Sequence, residues 1–270
     1  MVGREAYRPG VIRRGLAWLL QRRDSEIRGK VSAFPNPPGL TGGYYVQEWV
    51  KKLQKEGNKI IYDWVSVTSK IHSTQGLIEL LGLQKMTWEL LKGAHGYHDR
   101  LYWSSISIHF NGRDDMGIWL EMSGQGCRAF ETFGSGDYDA IFSEVLENPE
   151  EMNITRLDVA FDDHSGVLDI DEVCRDTEGG MFVSPFNAWK VTRGSEGSSV
   201  LLGSMKSEIL IRIYDKAAER GFEDGRHWVR VELQLRRERA KGFLSVPRTW
   251  ERNSPVFWRI IAGMCRSLTA

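Results

Sequence analysis

The chain carries the stretch Ile209-Leu210-Ile211-Arg212-Ile213-Tyr214-Asp215-Lys216, and its alternation decides the fold. At a period of two, the isoleucines fall on one face of an extended strand, and Arg212 and Tyr214 fall on the other. After a turn-like segment at 221–225, residues 229–236 alternate in the same way between apolar and polar side chains. The pattern predicts two β-strands that each bury one face.

A third stretch, Ile154–Asp162, repeats this alternation and puts Arg156, Asp158 and Asp162 on one face. If the three strands are neighbours, their polar faces form one surface with a tyrosine, carboxylates and arginines. A metal-assisted phosphodiester site would need these groups. The alternation also has a simpler interpretation, because antiparallel sheets commonly leave one face to solvent.

Further elements extend this sheet in both directions along the chain. Residues 61–68 predict another strand, and residues 103–110 and 117–122 predict a hairpin. In the second hairpin strand, Glu121 opposes the core-facing residues and could join the polar surface. Helices are predicted at 74–83, 138–147 and 169–176. The predicted fold class is α+β: a central antiparallel sheet, helices on one face, and an open polar face that carries the active site.

The distribution of charge is more informative than its sum. The 36 basic and 36 acidic residues cancel, which by itself argues against a DNA-binding protein. The basic residues cluster near the N-terminus and again from Lys206 to Arg259, however, and two such zones can still bind DNA. We therefore expect a basic N-terminal arm with a linker at 1–58 and the main domain at 59–270.

The three cysteines have no metal-type spacing, which indicates a reducing, cytoplasmic environment. No apolar run approaches the roughly 20 residues that a membrane span requires. We expect a cytoplasmic protein that is not associated with a membrane.

Six short motifs occur in order along the chain: Ile61–Thr68, Glu121–Arg128, Thr155–Asp162, Gly203–Ser207, Arg212–Lys216 and Val229–Arg236. Together they resemble the replication initiation factor family. That family groups plasmid rolling-circle replication initiators with relaxases of integrative conjugative elements and related phage proteins. Its members nick one DNA strand through a tyrosine and need a divalent metal.

The resemblance implies a rolling-circle initiator or conjugative relaxase in which Tyr214 attacks the scissile phosphate, beside Arg212 and Lys216. The products would be a 5′-phosphotyrosine and a free 3′-OH, and residues 59–270 would form the catalytic domain. The candidate DNA-binding residues are Arg128, Arg156, Arg230 and Arg236. The candidate ligands for Mg²⁺ or Mn²⁺, which favour carboxylate oxygens, are Asp158 and Glu232, with Glu121 and Asp162 behind them.

Two other functions remain open at this point. The chain could be a non-catalytic DNA-binding module on the same fold, or a metal-dependent nuclease that uses water while Tyr214 closes a strand edge. Many relatives carry an aromatic residue just before the Gly203-Ser204 pair, where this chain has Leu202. If the nucleophile belongs at that earlier position, the chain would be inactive. The carboxylates could also be halves of structural ion pairs, for example Glu232 with Arg156.

The expected partners are origin DNA, either single-stranded or supercoiled, and a host helicase; a homodimer is left open. Two loops could contribute to DNA binding. The segment Ser123–Arg128 could present N–H groups to a phosphate, although a tight turn with positive φ would explain its glycines equally well. The segment Gly96–Trp103 mixes aromatic and charged residues, as surfaces that stack single strands do.

Overall fold

The computed structural model describes residues 60–180, 182–183, 186, 188–245 and 266–267. The predicted basic arm, 1–58, lies outside these residues. The strands are β1 Ile60–Ser69, β2 Glu89–Lys92, β3 Asp99–Trp103, β4 Ile106–Phe110, β5 Ile118–Ser123, β6 Met152–Asp163, β7 Phe182–Val183, β8 Trp189–Thr192, β9 Ser199–Leu202, β10 Ile209–Asp215, β11 Val229–Arg236 and β12 Arg266–Ser267. The helices are α1 Thr74–Leu80, α2 Gly124–Phe133, α3 Tyr138–Glu147, α4 Ile170–Glu178, α5 Lys216–Glu219 and α6 Glu238–Leu244.

Ten strands form one sheet in the order β2-β3-β4-β5-β1-β6-β11-β10-β9-β8, and all nine pairings are antiparallel. The central strands β1, β6, β11 and β10 are those whose alternation predicts strands. Because directly paired residues share a face, the register places Tyr214 opposite Arg230, Arg212 opposite Glu232, and Gln234 opposite Asp158. The polar residues of these strands therefore lie on one face.

The opposite, apolar face of the sheet carries the core. Its isoleucines, valines and leucines pack against apolar residues of α1, α2, α3, α4 and α6 in one buried cluster. Burial of this apolar area is the main contribution that favours folding. The predicted α+β class, with a large antiparallel sheet and helices, is confirmed.

The hairpin region differs from the prediction in its details. Residues 103–110 do not form one strand, because Ser104 and Ser105 both adopt positive φ and turn the chain between β3 and β4. Most of the segment predicted as a loop at Gly96–Trp103 is strand β3.

The glycine segment Ser123–Arg128 is also not a turn. It starts helix α2, and neither Gly124 nor Gly126 has positive φ. Close approach is the reason for these glycines: a Cβ at Gly126 would collide with the carbonyl oxygen of Ser105, and one at Gly124 would lie 2.5 Å from Asp63 Oδ1. Among the described residues, no helix has the length and apolar character to cross a membrane.

Candidate active site

Tyr214 lies on the polar face of β10, and its hydroxyl group contacts two charged side chains. The hydroxyl donates to Glu232 Oε2 at 3.3 Å and accepts from Lys216 Nζ, also at 3.3 Å. Only 3% of the residue is exposed. Burial, followed by the negative charge of Glu232, raises the pKa of Tyr214 above its ordinary value. The resting group is therefore a neutral phenol held between a potential proton acceptor and a cation.

The end of strand β10 explains how Lys216 reaches this hydroxyl. The Asp215 carboxylate caps helix α5 by accepting from the Ala218 N–H at 2.8 Å, and the Lys216 N–H donates to the carbonyl of Trp228 at 2.8 Å. The turn from strand to helix directs the Lys216 side chain back toward Tyr214. Its buried ammonium group also forms an ion pair with Glu219.

Arg212 lies over the ring of Tyr214, with its guanidinium carbon 4.0 Å from the ring centroid. It is opposite Glu232 in the register, but within the described part of the chain no ion pair involves its guanidinium group. Its N–H edge is therefore available for a ligand. A free guanidinium edge next to a hydroxyl suits an incoming phosphate, which it can bind through two parallel hydrogen bonds.

The acidic candidates Asp158 and Glu232 lie on adjacent strands and influence one another. The pKa of Glu232 is raised to about 7, chiefly by burial and then by the negative charges of Asp158 and Asp63. Burial likewise raises the pKa of Asp158, against the effect of hydrogen bonds from Arg156. Carboxylates with raised pKa values, close to one another, form a region that would gain from a cation.

Arg156 pairs with Asp158 rather than with Glu232, so the ion pair considered from the sequence does not form. Its Nε and terminal nitrogen reach the two oxygens of Asp158 at 2.5–3.1 Å. With the Gln234 amide oriented to satisfy its neighbours, its oxygen accepts from the same two nitrogens of Arg156. The guanidinium group stacks on the ring of Trp64 at 4.1 Å.

A second buried network contains an acid that the sequence analysis missed. Arg230 donates to both oxygens of Asp162 at 2.7 Å and pairs with Asp63 at 2.8 Å. Trp228 Nε1 also donates to Asp162. Burial opposes ionisation of Asp162, but the hydrogen bonds from Arg230 outweigh it and hold the pKa of Asp162 below its ordinary value. Arg230 and Asp162 thus neutralise each other and have few donors or acceptors left.

Asp63 reaches the polar face through an irregularity in β1. The register with β6 shifts between Tyr62 and Trp64, so that one extra residue is accommodated as in a β-bulge. Tyr62 packs against Tyr138 and Phe142 on the helix side, whereas Asp63 contacts Arg230 on the polar side. The sequence contains one sign of this irregularity: strict alternation would place Asp63 in the core, where an unpaired charge is costly.

The other predicted residues lie away from Tyr214. Glu121 is opposite Ser66 and Ser107, two strands from Asp158, and burial raises its pKa. Arg128 lies on α2 and bonds the carbonyl of Tyr62 and the carboxylate of Glu131. Arg236 donates to the carbonyl of Met205 at 2.7 Å. His109 is buried and stacks on Trp119, with the ring centroids 4.5 Å apart.

The carboxylates around Tyr214 are not arranged as a complete metal site. Within the described parts of the chain, no three His, Cys, Asp or Glu side chains are grouped closely enough to hold an ion. Two carboxylates are nevertheless sufficient for Mg²⁺ when substrate phosphates and water supply its other ligands. Asp158 and Glu232, on adjacent strands, are the two carboxylates that would form that smaller donor set, and Asp158 would then give up part of its pairing with Arg156.

The chain is similar to known proteins in both sequence and fold. Residues 59–148 match the rolling circle replication initiation protein N-terminal domain, and residues 152–261 match the replication initiation factor family. The solved structure of the rolling circle replication initiator protein from Geobacillus stearothermophilus is 30% identical, with a TM-score of 0.63 over 76% of this chain and 79% of that chain. The fold and these matches define a rolling-circle type of replication initiation protein.

Within that class, the chain belongs to the replication initiation factor family, as its motifs predict. It is also 32% identical over 226 residues to the putative DNA relaxase NicK of Bacillus subtilis (strain 168). That alignment covers 76% of this chain and 63% of the relative, so the chain spans less than two thirds of the relative's length.

Proposed function

We propose that the protein cuts one DNA strand at a replication or transfer origin by attack of Tyr214 on the scissile phosphate. The Tyr214 oxygen forms a bond to phosphorus, and the bond from phosphorus to the 3′ oxygen breaks. The products are a 5′-phosphotyrosine and a free 3′-OH. The observation that carries this proposal is the Tyr214 hydroxyl held between Lys216 and Glu232 at 3.3 Å each.

Glu232 and Lys216 supply the proton chemistry at that hydroxyl. A phenol is a weak nucleophile, and it gains reactivity when a neighbouring base removes its proton. Glu232 already accepts the hydroxyl hydrogen bond, and its raised pKa of about 7 makes it a better-matched proton acceptor than an ordinary carboxylate. Lys216 stabilises the phenolate that develops, and the leaving 3′ oxygen takes a proton from solvent.

Arg212 binds the scissile phosphate in this scheme. It lies directly over the ring of Tyr214, and its guanidinium edge is not engaged in an ion pair among the described residues. Arg230 is a weaker candidate for that role because Asp63 and Asp162 already use its donors. Positioning the phosphate beside the hydroxyl lowers the entropic part of the barrier.

A divalent cation, Mg²⁺ or Mn²⁺, would be held by Asp158 and Glu232 together with the DNA phosphate. When bound, it would supply Lewis-acid polarisation of the phosphate. Asp158 would exchange part of its pairing with Arg156 for the cation. Asp162 contributes less because both Arg230 and Trp228 hold it, and Glu121 contributes less because it lies two strands away from Asp158.

We also propose that residues 1–58 form a basic arm that contacts DNA phosphates, and that 59–270 form the catalytic domain. The partners would be origin DNA and a host helicase, in the cytoplasm. Cys127 and Cys174 support that location as free, buried thiols. A homodimer would be compatible with the same chemistry.

The test is incubation of the protein with supercoiled origin DNA and Mg²⁺, followed by electrophoresis under denaturing conditions. A protein–DNA adduct that survives denaturation and is lost in Tyr214→Phe supports the proposal. Absence of nicking with the wild-type protein contradicts it.

One observation favours a second candidate, a nuclease in which water attacks the phosphate. Tyr214 is only 3% exposed, which restricts the access of DNA to its hydroxyl. In that case, nicking would occur without an adduct and would persist in Tyr214→Phe.

A further inference from the structure

Arginine–aromatic pairs recur across the polar face of the sheet. The guanidinium of Arg156 lies 4.1 Å from the ring centroid of Trp64, and that of Arg212 lies 4.0 Å from that of Tyr214. Two looser pairs, Arg100 with Tyr102 and Arg230 with Trp228, lie on the same face. Flat cationic and aromatic groups in such a row are typical of surfaces that bind single-stranded nucleic acid.

The guanidinium group of Arg156, over Trp64, and that of Arg212, over Tyr214, differ in which of their parts are free to bind a ligand. Asp158 and Gln234 occupy the Nε and Nη2 donors along one edge of Arg156, and only Nη1 has no such partner among the described residues. One flat face of the group rests on Trp64, yet 29% of the Arg156 side chain remains exposed. Arg156 therefore cannot grip a phosphate through the paired Nε and Nη2 donors, and it is better suited to stack on another flat group.

We propose that Arg156 and Trp64 form a stacking subsite for an unpaired nucleobase of the DNA strand that Tyr214 cuts. The base lies on the free face of the Arg156 guanidinium, and the indole of Trp64 supports that guanidinium from behind. This inference rests on the proposed function for the identity of the ligand. It divides the arginines by role: Arg212 binds phosphate through its edge, and Arg156 binds a base through its face.

The position of the subsite is compatible with one continuous strand. Through β6 and β11, Trp64 on β1 lies level with Leu210 on β10. Tyr214 is therefore three strand spacings across the sheet and four residues along it from Trp64, about 20 Å away. A single strand that crosses the polar face reaches both within a few nucleotides. The subsite requires an unpaired base, because the flat faces of a paired base are covered by its neighbours in the duplex.

Two substitutions at Trp64 test the role of its aromatic ring, because one keeps a ring and the other removes it. The indole N–H is buried and has no hydrogen-bond partner among the described residues. Trp64→Phe therefore removes no hydrogen bond within that part of the chain, and it keeps an aromatic ring beneath Arg156. Trp64→Leu removes the ring. Trp189 on edge strand β8 is 53% exposed and is opposite Leu202, which is itself opposite the core-facing Ile211. Trp189 therefore lies on the helix side of the sheet, away from the polar face, and Trp189→Leu is the matched control.

The experiment measures the affinity for a short mixed-sequence single-stranded DNA, for the same strand with abasic residues, and for its duplex. Wild type, Trp64→Phe and Trp189→Leu should prefer the intact strand over the abasic one by about tenfold or more, the usual effect of stacking one base. In Trp64→Leu that preference should shrink by about five- to tenfold, while the affinity for the duplex stays unchanged.

Three outcomes would overturn the inference: equal binding of intact and abasic strands by wild type, an undiminished preference in Trp64→Leu, or an equal loss of affinity for the duplex in that variant. If Trp64→Leu does not fold, the wild-type and Trp64→Phe comparisons still decide. The same experiments distinguish this inference from the proposed cleavage. If the wild-type protein forms no adduct but still prefers intact single strands, only the proposed cleavage is contradicted.

Discussion

Removing one oxygen atom, in Tyr214→Phe, separates the chemical role of this residue from its structural role. The ring packs beneath Arg212 in either case, so the loss is confined to two hydrogen bonds of 3.3 Å, to Glu232 and from Lys216. Both bonds are long, and Lys216 keeps its ion pair with Glu219. We therefore expect a cost of about 1 kcal/mol, which is below the roughly 1.5–3 kcal/mol that is usual for a hydrogen bond with a charged partner.

That cost is measurable and small. For a domain of this size, about 1 kcal/mol lowers the Tm by about 2–4 °C. Formation of the covalent adduct, in contrast, should fall below detection, because phenylalanine offers no oxygen to attack phosphorus. Thermal melting and denaturing electrophoresis of the same preparation, with supercoiled origin DNA and Mg²⁺, measure the two effects together.

Tyr138→Phe is the matched control on the helix side of the sheet. The Tyr138 hydroxyl contacts the Glu131 carboxylate at 3.0 Å and the Cys127 carbonyl at 3.3 Å, a similar pair of bonds away from the polar face. This variant should melt slightly lower and keep its adduct. The reasoning is refuted if Tyr214→Phe retains the adduct, or if both variants lose it to the same extent.

Four further predictions follow from the charges and the packing. Asp158→Ala and Glu232→Ala should each weaken the dependence of nicking on Mg²⁺ far more than DNA affinity, as a metal titration of nicking alongside a binding isotherm would show. Folding raises the pKa of Glu232 from 4.5 to about 7, so between these pH values the folded state keeps a proton that the unfolded chain loses. The free energy of unfolding in metal-free buffer should therefore fall between pH 4.5 and about 7, by at most about 3 kcal/mol. Denaturant titrations of Glu232→Gln should show a flatter dependence of this free energy on pH. Gly126→Ala should destabilise the domain by about 1–3 kcal/mol in the same titrations, because its Cβ would collide with the backbone of Ser105. Deleting residues 1–30 should flatten the salt dependence of duplex binding, by about 0.9 in log–log slope per lost phosphate contact, and leave cleavage of a short single strand largely intact.

Much of the fold is readable from the sequence because its central strands alternate cleanly. In β10 and β11, every second side chain is apolar, so the core face and the positions of Tyr214 and Glu232 follow from a period of two. The strand pairing does not follow from the order of the motifs, because β6 pairs with β11 and not with β9 or β10, which lie between them along the chain. Alternation says which face a side chain occupies, but it does not say which charged groups on that face pair with one another.

The features that the sequence does not predict depend on local contacts, which the alternation of apolar and polar residues does not reveal. Asp63 reaches the polar face only through an extra residue in β1, and such an irregularity depends on the partner strand. Ser104 and Ser105 form a turn with positive φ, although glycine or asparagine is the usual signal there. The glycines of α2 suggest a turn with positive φ in the sequence, but the structure requires them because Asp63 and Ser105 approach too closely for a side chain.

The two regions that match separate family descriptions are joined within the sheet by the pairing of β1 with β6, and α3 of the first region also packs against β6 and α6 of the second. Between the two regions, Asp63 of the first binds Arg230 of the second. Neither region would be a self-sufficient module, since separation would expose a long central strand on each side and leave a buried arginine with one acid fewer. Exchange of either region between relatives, in evolution or by engineering, should therefore succeed only when the residues at positions 63 and 230 are inherited as a compatible pair.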